Sequence, residues 1–165
     1  MPEFLDLHGR TSKALRALTE AEMRRHGLHY GQDLVLAVLW AHDGSTPGEV
    51  AAALHVTTPT IVKMATRMTA AGLLTRRRDE RDNRLVRLWL TEAGRALKEP
   101  VLAARQSLED KVTAGLTEAE RRRLLTMLAT IHQAAAEQLG EPPAPTGELP
   151  ALTGAPPAPT GEPAA

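Results

Sequence analysis

The sequence contains no cysteine among its 165 residues and only four aromatic side chains, Phe4, Tyr30, Trp40 and Trp89. The lack of cysteine excludes disulfide scaffolds, cysteine-based zinc sites and thiol redox sensing, including thiol-based peroxide sensing. Four aromatic residues are too few for the stacking platforms that bind single-stranded nucleic acid. No apolar run approaches the roughly 18 residues that span a bilayer, and the N-terminus lacks the pattern of a signal peptide. We therefore expect a soluble, cytoplasmic protein.

The chain also lacks an excess of either charge, because 20 Lys and Arg residues balance 20 Asp and Glu residues. Taken alone, this balance argues against a nucleic-acid-binding protein. The composition changes after Gly140: residues 141–165 are dominated by Pro, Ala and Gly and contain the segment PPAPTGE twice, at 142–148 and 156–162. Such a segment buries too little apolar surface to offset an ordering entropy of about 1–2 kcal/mol per residue. We predict a folded domain over residues 1–140 and a disordered tail over 141–165.

Hydrophobic periodicity and capping signals divide the first half of the domain into four helices. The pattern predicts a helix over residues 4–25 and a second, mostly buried helix over 31–42. Thr46, Pro47 and Glu49 form the signature of a capping box that opens a short helix. The pair Thr58-Pro59 repeats the cap-then-proline signal and opens a helix that runs to Ala71, before Gly72. Two short helices joined by a tight turn predict a helix-turn-helix.

The segment that follows Gly72 is predicted to form a β-hairpin. Two extended runs, 73–78 and 85–90, flank the charged cluster 79–84. A hairpin directly after a helix-turn-helix is a wing. We therefore predict a mainly α fold with a winged helix-turn-helix lobe over about residues 30–91 and a two-stranded β-wing.

Helices on both sides of this lobe carry apolar stripes. A long helix after Thr91 has apolar residues at 97, 101, 104, 108 and 112, with Pro100 expected to kink or interrupt it. A last helix opens at a capping box that begins with Thr117, and its stripe is Leu124, Leu128, Ile131, Ala135 and Leu139. We predict that the helices within 3–26 and 92–139 form a dimerisation region with a second subunit. Alternatively, they pack only on each other within one chain.

Positive charge is concentrated on the predicted second helix of the helix-turn-helix and on the wing. Residues 57–95 hold nine Lys and Arg residues against four Asp and Glu residues, whereas residues 1–56 have a net charge of −2 and residues 96–140 of zero. Ile61, Ala65 and Met68 recur at helical spacing and should face the core. The distribution is typical of a protein that binds duplex DNA; the alternative is an ordinary solvated surface. The predicted DNA contacts are Thr57, Thr58, Thr60, Lys63, Thr66, Arg67, Arg76, Arg81 and Arg84.

The run TPGEVAAALHVTTPTIVKMATRMTAAGLLTRRRDERDNRLVRLWLTEAGRAL resembles the core of the MarR family of winged-helix transcriptional regulators. The matching pieces are the helix-turn-helix, the junction from Met68 to Arg76, the D-x-R-D-x-R wing and the closing LTEAG. The resemblance implies a homodimer with recognition helices in successive major grooves and wings in the flanking minor grooves. It also implies that Arg84 is the minor-groove arginine and that Asp82 orients it. Asn83 stands where many members have a further Arg, so we expect the wing to lack one phosphate contact.

The resemblance further implies a regulator, most simply a repressor, that releases operator DNA when a small phenolic or anionic effector binds. The effector would enter the cleft between the dimerisation helices and the DNA-binding lobe. The alternative for Tyr30 and Trp40 is that they are ordinary core residues. The polar and aromatic candidates for this effector pocket are His8, Arg16, His29, Tyr30 and Trp40.

Other functional classes have little support in the sequence. No carboxylate pair, Ser-His arrangement or Gly-rich phosphate loop is present, so we predict neither an enzyme nor a cofactor. His26 and His29 have no further ligand at suitable spacing on the long helix, so we predict no metal site. The alternative to a DNA-binding regulator is a winged-helix module that binds protein, which the neutral overall charge and the Pro-rich tail would suit.

Overall fold

The computed structural model describes residues 3–140; the predicted disordered tail lies outside them. The fold is mainly helical with one two-stranded antiparallel sheet, which confirms the predicted fold class. In chain order the elements are α1 (Glu3–Arg24), α2 (Gln32–Ala41), α3 (Pro47–Ala53), α4 (Thr58–Ala70), β1 (Leu74–Arg78), β2 (Val86–Leu90), α5 (Glu92–Ala96), α6 (Lys98–Thr113) and α7 (Glu118–Leu139). Helices α3 and α4 form the helix-turn-helix, and β1 and β2 form the wing. No helix within residues 3–140 is long and apolar enough to cross a membrane.

The core lies beneath the helix-turn-helix and is centred on α2. Seven of the ten residues of α2 are buried, as its apolar composition predicted. Val35, Leu36 and Leu39 are fully buried and belong to one apolar cluster with α4, the wing strands and Val101 of α6. Because α2 is enclosed on most faces, it anchors the elements that carry the candidate site.

The helix starts follow the capping signals, with one correction. At α3, Thr46 Oγ1 accepts the Glu49 backbone N–H at 3.2 Å and the Glu49 carboxylate accepts the Thr46 N–H at 2.7 Å, which confirms the capping box. The prediction of Thr58 as the cap of α4 was wrong, because the structure places the extended cap residue at Thr57. Proline costs no hydrogen bond at either of the first two helical positions, so Pro59 alone did not identify the cap.

The predicted long helix after the wing is interrupted, as Pro100 indicated. The break separates α5 from α6 at Leu97, three residues before the proline. Pro100 has no N–H to donate to the carbonyl of Ala96, so the backbone ladder is lost at this point. Along α6, Val101 is fully buried beneath the lobe, whereas Val112 near the far end is 44% exposed. The apolar stripe therefore leaves the core as the helix extends away from the winged lobe.

The wing is fastened to the lobe by the LTEAG segment. The Thr91 hydroxyl lies within hydrogen-bonding distance of two backbone carbonyl acceptors, that of Gly72 at 2.7 Å and that of Leu73 at 3.0 Å. Its backbone N–H donates to the Leu73 carbonyl at 3.1 Å. The Gly94 carbonyl accepts the Trp40 indole N–H at 3.0 Å. A Cβ at Gly94 would lie 2.3 Å from the Leu73 oxygen, so only glycine fits at this close approach.

Candidate nucleic-acid interface

Helix α4 presents opposite faces to the core and to solvent. Ile61, Ala65 and Met68 are completely buried, as their helical spacing predicted. The remaining outward positions are exposed and include the six threonine and basic residues predicted as DNA contacts: Thr57, Thr58, Thr60, Lys63, Thr66 and Arg67. At the start of the helix, the hydroxyls of Thr57 and Thr60 lie 2.8 Å apart and share a hydrogen bond. The exposed face of α4 therefore combines hydroxyl groups with two cations.

Val62 belongs to the same exposed face, although it was not predicted as a functional residue. Its side chain is 37% exposed. Val62 lies one turn before Thr66, whose hydroxyl donates to the Val62 carbonyl at 2.8 Å. The signal in the sequence was its position immediately after the inward-facing Ile61, where a β-branched apolar side chain has no core to enter. An exposed apolar group among threonines is suited to contact with a thymine methyl group.

The base of the wing lies beside α4. Arg76 on β1 approaches Thr66 on α4, with Nη1 3.5 Å from the threonine Oγ1. Arg81 and Arg84 lie in the turn between the strands and are exposed. The structure thus joins the predicted contacts of α4 to those of the wing through the Arg76–Thr66 pair.

Asp79 and Arg87 hold the wing turn and were not predicted from the sequence. The Asp79 carboxylate pairs with the Arg87 guanidinium and accepts the backbone N–H groups of Asp82 at 2.9 Å and Arg81 at 2.8 Å. The hydrogen bond from Arg87, followed by the two backbone bonds, lowers the pKa of Asp79 to about 2. The same pairing raises the pKa of Arg87. Only the antiparallel register, which sets Arg77 opposite Arg87 and Asp79 just beyond, brings these two residues together.

Arg87 also ties the wing to the helix-turn-helix. Its Nη1 donates to the Gly44 carbonyl at 3.0 Å and lies 3.8 Å from the Glu49 carboxylate. The pKa of Glu49 is lowered, mainly by the backbone N–H of Thr46 and to a smaller extent by Arg87. The start of α3 and the wing turn therefore share one charged network.

Asp82 contacts the backbone of Arg84 rather than its guanidinium. Its carboxylate accepts the backbone N–H of Arg84 at 3.0 Å, and within residues 3–140 it forms no ion pair with the Arg84 guanidinium. Asp82 thus shapes the turn that carries Arg84, while the side chain of Arg84 extends into solvent. The ion pair that stabilises the turn is Asp79–Arg87.

The basic side chains of this surface are largely uncompensated. Of the nine in residues 57–95, only Arg87 and Arg95 have an acidic partner among the residues that the structure describes, and Arg95 pairs with Asp43 at 2.6 Å. Exposed cations without acidic neighbours can replace the counterions of a polyanion. The seven unpaired residues are Lys63, Arg67, Arg76, Arg77, Arg78, Arg81 and Arg84.

The candidate effector residues do not form a single group. Arg16 lies over the Tyr30 ring, 4.7 Å from its centroid, and His29 Nδ1 lies 3.5 Å from the Glu20 carboxylate. Glu20 also accepts the Tyr30 backbone N–H at 2.6 Å, and this bond, followed by the bond from Arg24, lowers the pKa of Glu20. His29 and Tyr30 therefore contact Glu20, which the sequence did not single out, and Arg16 joins this group through the Tyr30 ring.

His8 and Trp40 lie elsewhere. His8 is two turns along α1 from Arg16, about 12 Å at the helical rise, and stacks on Phe4. Trp40 is at the far end of α2 and is bonded to α5. Two cavities of about 400 Å³ lie beside the wing and the turn before α3, and none of the five candidates lines either one. The structure therefore brings Arg16, His29 and Tyr30 together and places His8 and Trp40 apart from them, because two helical turns separate His8 from Arg16 and the length of α2 separates Trp40 from Tyr30.

A metal site has no support in the geometry of the described region. Within residues 3–140, no three His, Asp or Glu side chains are grouped as metal ligands. His55 and His132 approach edge to face with ring centroids 6.2 Å apart, but they have no third ligand.

Comparisons with known proteins agree with this architecture. The family described as "Transcriptional regulator SarA/Rot" matches residues 17–101. The chain is 33% identical over 129 residues to the HTH-type transcriptional regulator TtmR of Methylorubrum extorquens, covering 78% of this chain and 63% of that protein. It is 35% identical over 112 residues to the organic hydroperoxide resistance transcriptional regulator of Bacillus subtilis, covering 63% of this chain and 72% of that protein. The chain thus spans less than two thirds of the length of TtmR.

Solved structures share the fold. The transcriptional regulator SlyA superposes with a TM-score of 0.74 at 22% identity, covering 82% of this chain and 96% of that chain. MepR of S. aureus, solved as a DNA complex, superposes with a TM-score of 0.75 at 22% identity, covering 81% and 99%. The fold and its exposed basic helix define a winged helix-turn-helix transcriptional regulator. More particularly, the chain belongs to the MarR family of transcriptional regulators.

Proposed function

We propose that this protein is a homodimeric repressor without enzymatic activity, which acts in the cytoplasm and binds a specific sequence of double-stranded DNA. The observation that carries the proposal is the junction of α4 and the wing at Arg76 and Thr66, which sets an exposed basic helix beside an exposed basic turn. A helix of this width fits the major groove, where base edges are distinguishable. An arginine on a narrow turn suits the minor groove, where the negative potential is enhanced.

Roles for individual residues follow from their positions. The N-terminal turn of α4 offers backbone N–H groups and the hydroxyls of Thr57, Thr58 and Thr60 to a phosphate. Lys63, Thr66 and Arg67 would face base edges and neighbouring phosphates. Arg84 and Arg81 would enter or flank the minor groove, with Asp82 shaping the turn by its bond to the Arg84 backbone.

Exposed apolar side chains on the outer helices support a dimer. Leu5, Leu7, Leu15 and Leu18 of α1 are 40–61% exposed, and α7 exposes a comparable set. Exposed large apolar side chains in this number are typical of an interface. A second copy would cover it, and a two-fold dimer would place its two α4 helices on half-sites about one helical turn of DNA apart. The exposed apolar residues of α7 are Leu125, Met127, Leu128, Ile131 and Leu139.

The group around Glu20 is the candidate site for an effector. Arg16 and Tyr30 present a cation and an aromatic ring at the junction of α1 with the segment leading into α2. A small aromatic anion would pair with the Arg16 guanidinium and compete with it for the Tyr30 ring face. Helix α1 belongs to the proposed dimer interface, and α2 belongs to the DNA-binding lobe. Such a ligand would therefore change the angle between the dimer interface and the lobe, and the protein would release DNA.

The DNA-binding proposal is tested by salt-dependent titration of duplex DNA. We expect tight binding at low salt and a steep fall in affinity as salt increases. Arg84→Ala should weaken binding and reduce the slope of log K against log salt by about 1 if the arginine neutralises a phosphate. Arg123→Ala is the matched control, because Arg123 is an exposed arginine of α7 without an acidic partner in the described part of the chain. Failure to bind random duplex even at low salt would instead favour a protein-binding module.

The dimer is tested separately by sedimentation equilibrium. Ile131→Glu places a charge on the exposed apolar stripe of α7, where burial of an unpaired carboxylate is unfavourable. We expect the variant to shift towards the monomer, whereas the wild-type chain sediments as a dimer. A monomeric wild-type chain at micromolar concentration would contradict the proposed assembly.

A further inference from the structure

A buried ion pair joins α2 to α6, outside the proposed contacts with DNA and with the effector. Asp33, in the first turn of α2, is 1% exposed, and its Oδ2 pairs with the guanidinium of Arg105 on α6. The other carboxylate oxygen, Oδ1, is also buried and accepts no hydrogen bond within residues 3–140. The charge of Asp33 is therefore compensated by a single side chain, which lies 72 residues away in the sequence.

Separation of this pair is unfavourable because its two members differ in their access to water. The Arg105 side chain is 31% exposed, so its guanidinium would regain hydration if it moved away. Asp33 would not, and an uncompensated carboxylate among buried apolar residues is strongly destabilising. The planar guanidinium also gives the pair a defined direction. The pair therefore holds α2 and α6 together at one point and in one orientation.

Arg105 stands where α6 leaves the lobe. Val101, one turn earlier on the same side of the helix, is fully buried in the apolar cluster of the lobe, and Val112 near the far end is 44% exposed. Apolar contacts at Val101 hold α6 on the lobe but are non-directional. Within residues 3–140, Asp33–Arg105 is the one ion pair between α6 and the lobe. It supplies the second fixed point, which sets the angle of the helix.

A small change in this angle would move α4 by the length of a base pair. Helix α2 packs against both α6 and α4, and packed helices lie about 8–10 Å apart, so α4 is up to about 20 Å from the axis of α6. A tilt of about 10° over that distance displaces α4 by about 3.5 Å. The rise of duplex DNA is about 3.4 Å per base pair. The angle at the ion pair therefore bears directly on the register of α4 with DNA.

We propose that Asp33 and Arg105 are positioning residues, which fix the angle of the winged lobe on α6. In a two-fold dimer the outer helices join the two lobes, so this angle sets the distance between the two α4 helices. The pair thereby determines which separation of half-sites the protein accepts. Only this consequence for half-site separation rests on the proposed function, because the fixed angle is a property of the single chain.

The angle is tested without DNA by pulsed electron spin resonance, which measures a distance within one chain. Because the sequence contains no cysteine, Ala52→Cys on α3 and Lys111→Cys on α6, both at exposed positions, carry two unique spin labels. Labelled chains are mixed with an excess of unlabelled chains, so that distances between subunits do not contribute. We expect one narrow distance distribution in the wild-type background and a distribution about twice as wide in Arg105→Met.

Two further variants separate positioning from a loss of stability. Arg121→Met is the matched control, because the Arg121 side chain is 32% exposed and pairs with Glu109, which joins α7 to α6 rather than the lobe to α6. It should leave the distribution unchanged. The double variant Asp33→Leu/Arg105→Met removes the buried charge, so it should recover the urea midpoint of the wild type and still give the wide distribution. A narrow distribution in the double variant, or equal widening in Arg121→Met, would overturn the assignment.

Duplexes with altered half-site separation test the consequence for DNA. A selected operator is compared with duplexes in which base pairs are inserted between its half-sites. The wild type should lose at least about tenfold in affinity for each inserted pair, whereas the double variant should lose no more than about threefold. Equal losses would exclude a role of the ion pair in half-site selection. If the wild type binds no duplex at all, the proposed function fails, while the distance measurement still decides whether the pair fixes the angle.

Discussion

Gly94→Ala tests whether the close contact between α5 and the wing governs the stability of the winged lobe. The added methyl group would lie 2.3 Å from the Leu73 carbonyl oxygen and 3.2 Å from a methyl carbon of Leu90. Ordinary contact between such atoms begins near 3.4 Å, so α5 has to move by about 1 Å. The Leu73 oxygen belongs to backbone and cannot rotate away.

The expected cost has two components. Overpacking in a well-packed region costs about 1–3 kcal/mol. A shift of α5 also weakens the bonds from Thr91 to the Leu73 carbonyl and from Trp40 to the Gly94 carbonyl, each worth about 1 kcal/mol. We expect a total loss of about 3 kcal/mol in the free energy of unfolding, or roughly 10 °C in the melting temperature of a domain of this size.

Urea denaturation measures this loss directly, with all proteins compared at one concentration because a dimer would make stability concentration-dependent. Gly115→Ala is the matched control. No atom lies within 4 Å of its added methyl group and its backbone is not left-handed, so that substitution should be neutral or slightly stabilising. A loss below about 1 kcal/mol for Gly94→Ala would refute the argument from close contact.

Three further predictions concern the site and the tail. The folded-state pKa of Asp79, about 2, lies below its usual value of 3.8, so its stabilising contribution is present above pH 4 and is lost as the pH falls towards 2. The stability difference between wild type and Asp79→Asn should thus be largest near pH 7 and shrink at pH 3 in urea titrations. Val62→Ala should weaken binding to a selected operator by up to about tenfold. Replacing the contacted thymine by uracil, which removes the methyl group, should weaken binding of the wild type but should not weaken binding of Val62→Ala any further. If the losses from the two changes add instead, Val62 does not contact that methyl group. Deletion of residues 141–165 should leave the denaturation curve unchanged, because Gly140 ends α7. DNA affinity should stay unchanged or become slightly stronger, because the deleted segment carries three Glu and no basic residue. A lower affinity would assign the tail a role in binding.

Local rules predicted the helix-turn-helix and the wing because their signals lie within a few residues of one another. The capping box at Thr46, the inward positions on α4 and the hairpin all depend on periodicity or short-range hydrogen bonding. The interruption near Pro100 was predictable for the same reason, since a missing N–H acts on its own helix. The misplaced cap of α4 shows the limit of such rules where two adjacent threonines compete.

Contacts between distant segments were not predictable in this way. Arg87 pairs with Asp79 eight residues away and with the Gly44 carbonyl 43 residues away, and nothing in the local sequence selects it from the other arginines of the wing. The candidate effector residues show the same limit. Their chemical types made them candidates for an effector pocket, but only His29 and Tyr30, in the loop between α1 and α2, contact Glu20, and Arg16 joins them by lying over the Tyr30 ring.

The sequence by itself determined the order of the elements, the buried face of α4 and the concentration of positive charge in residues 57–95, because periodicity, capping and charge count are properties of neighbouring residues. Its lack of cysteine and its few aromatic residues likewise bounded the chemistry without reference to a fold. Only the tertiary structure decided which arginines keep an acidic partner and which remain exposed. Those features depend on strand register and helix packing, which bring together residues that are far apart along the chain.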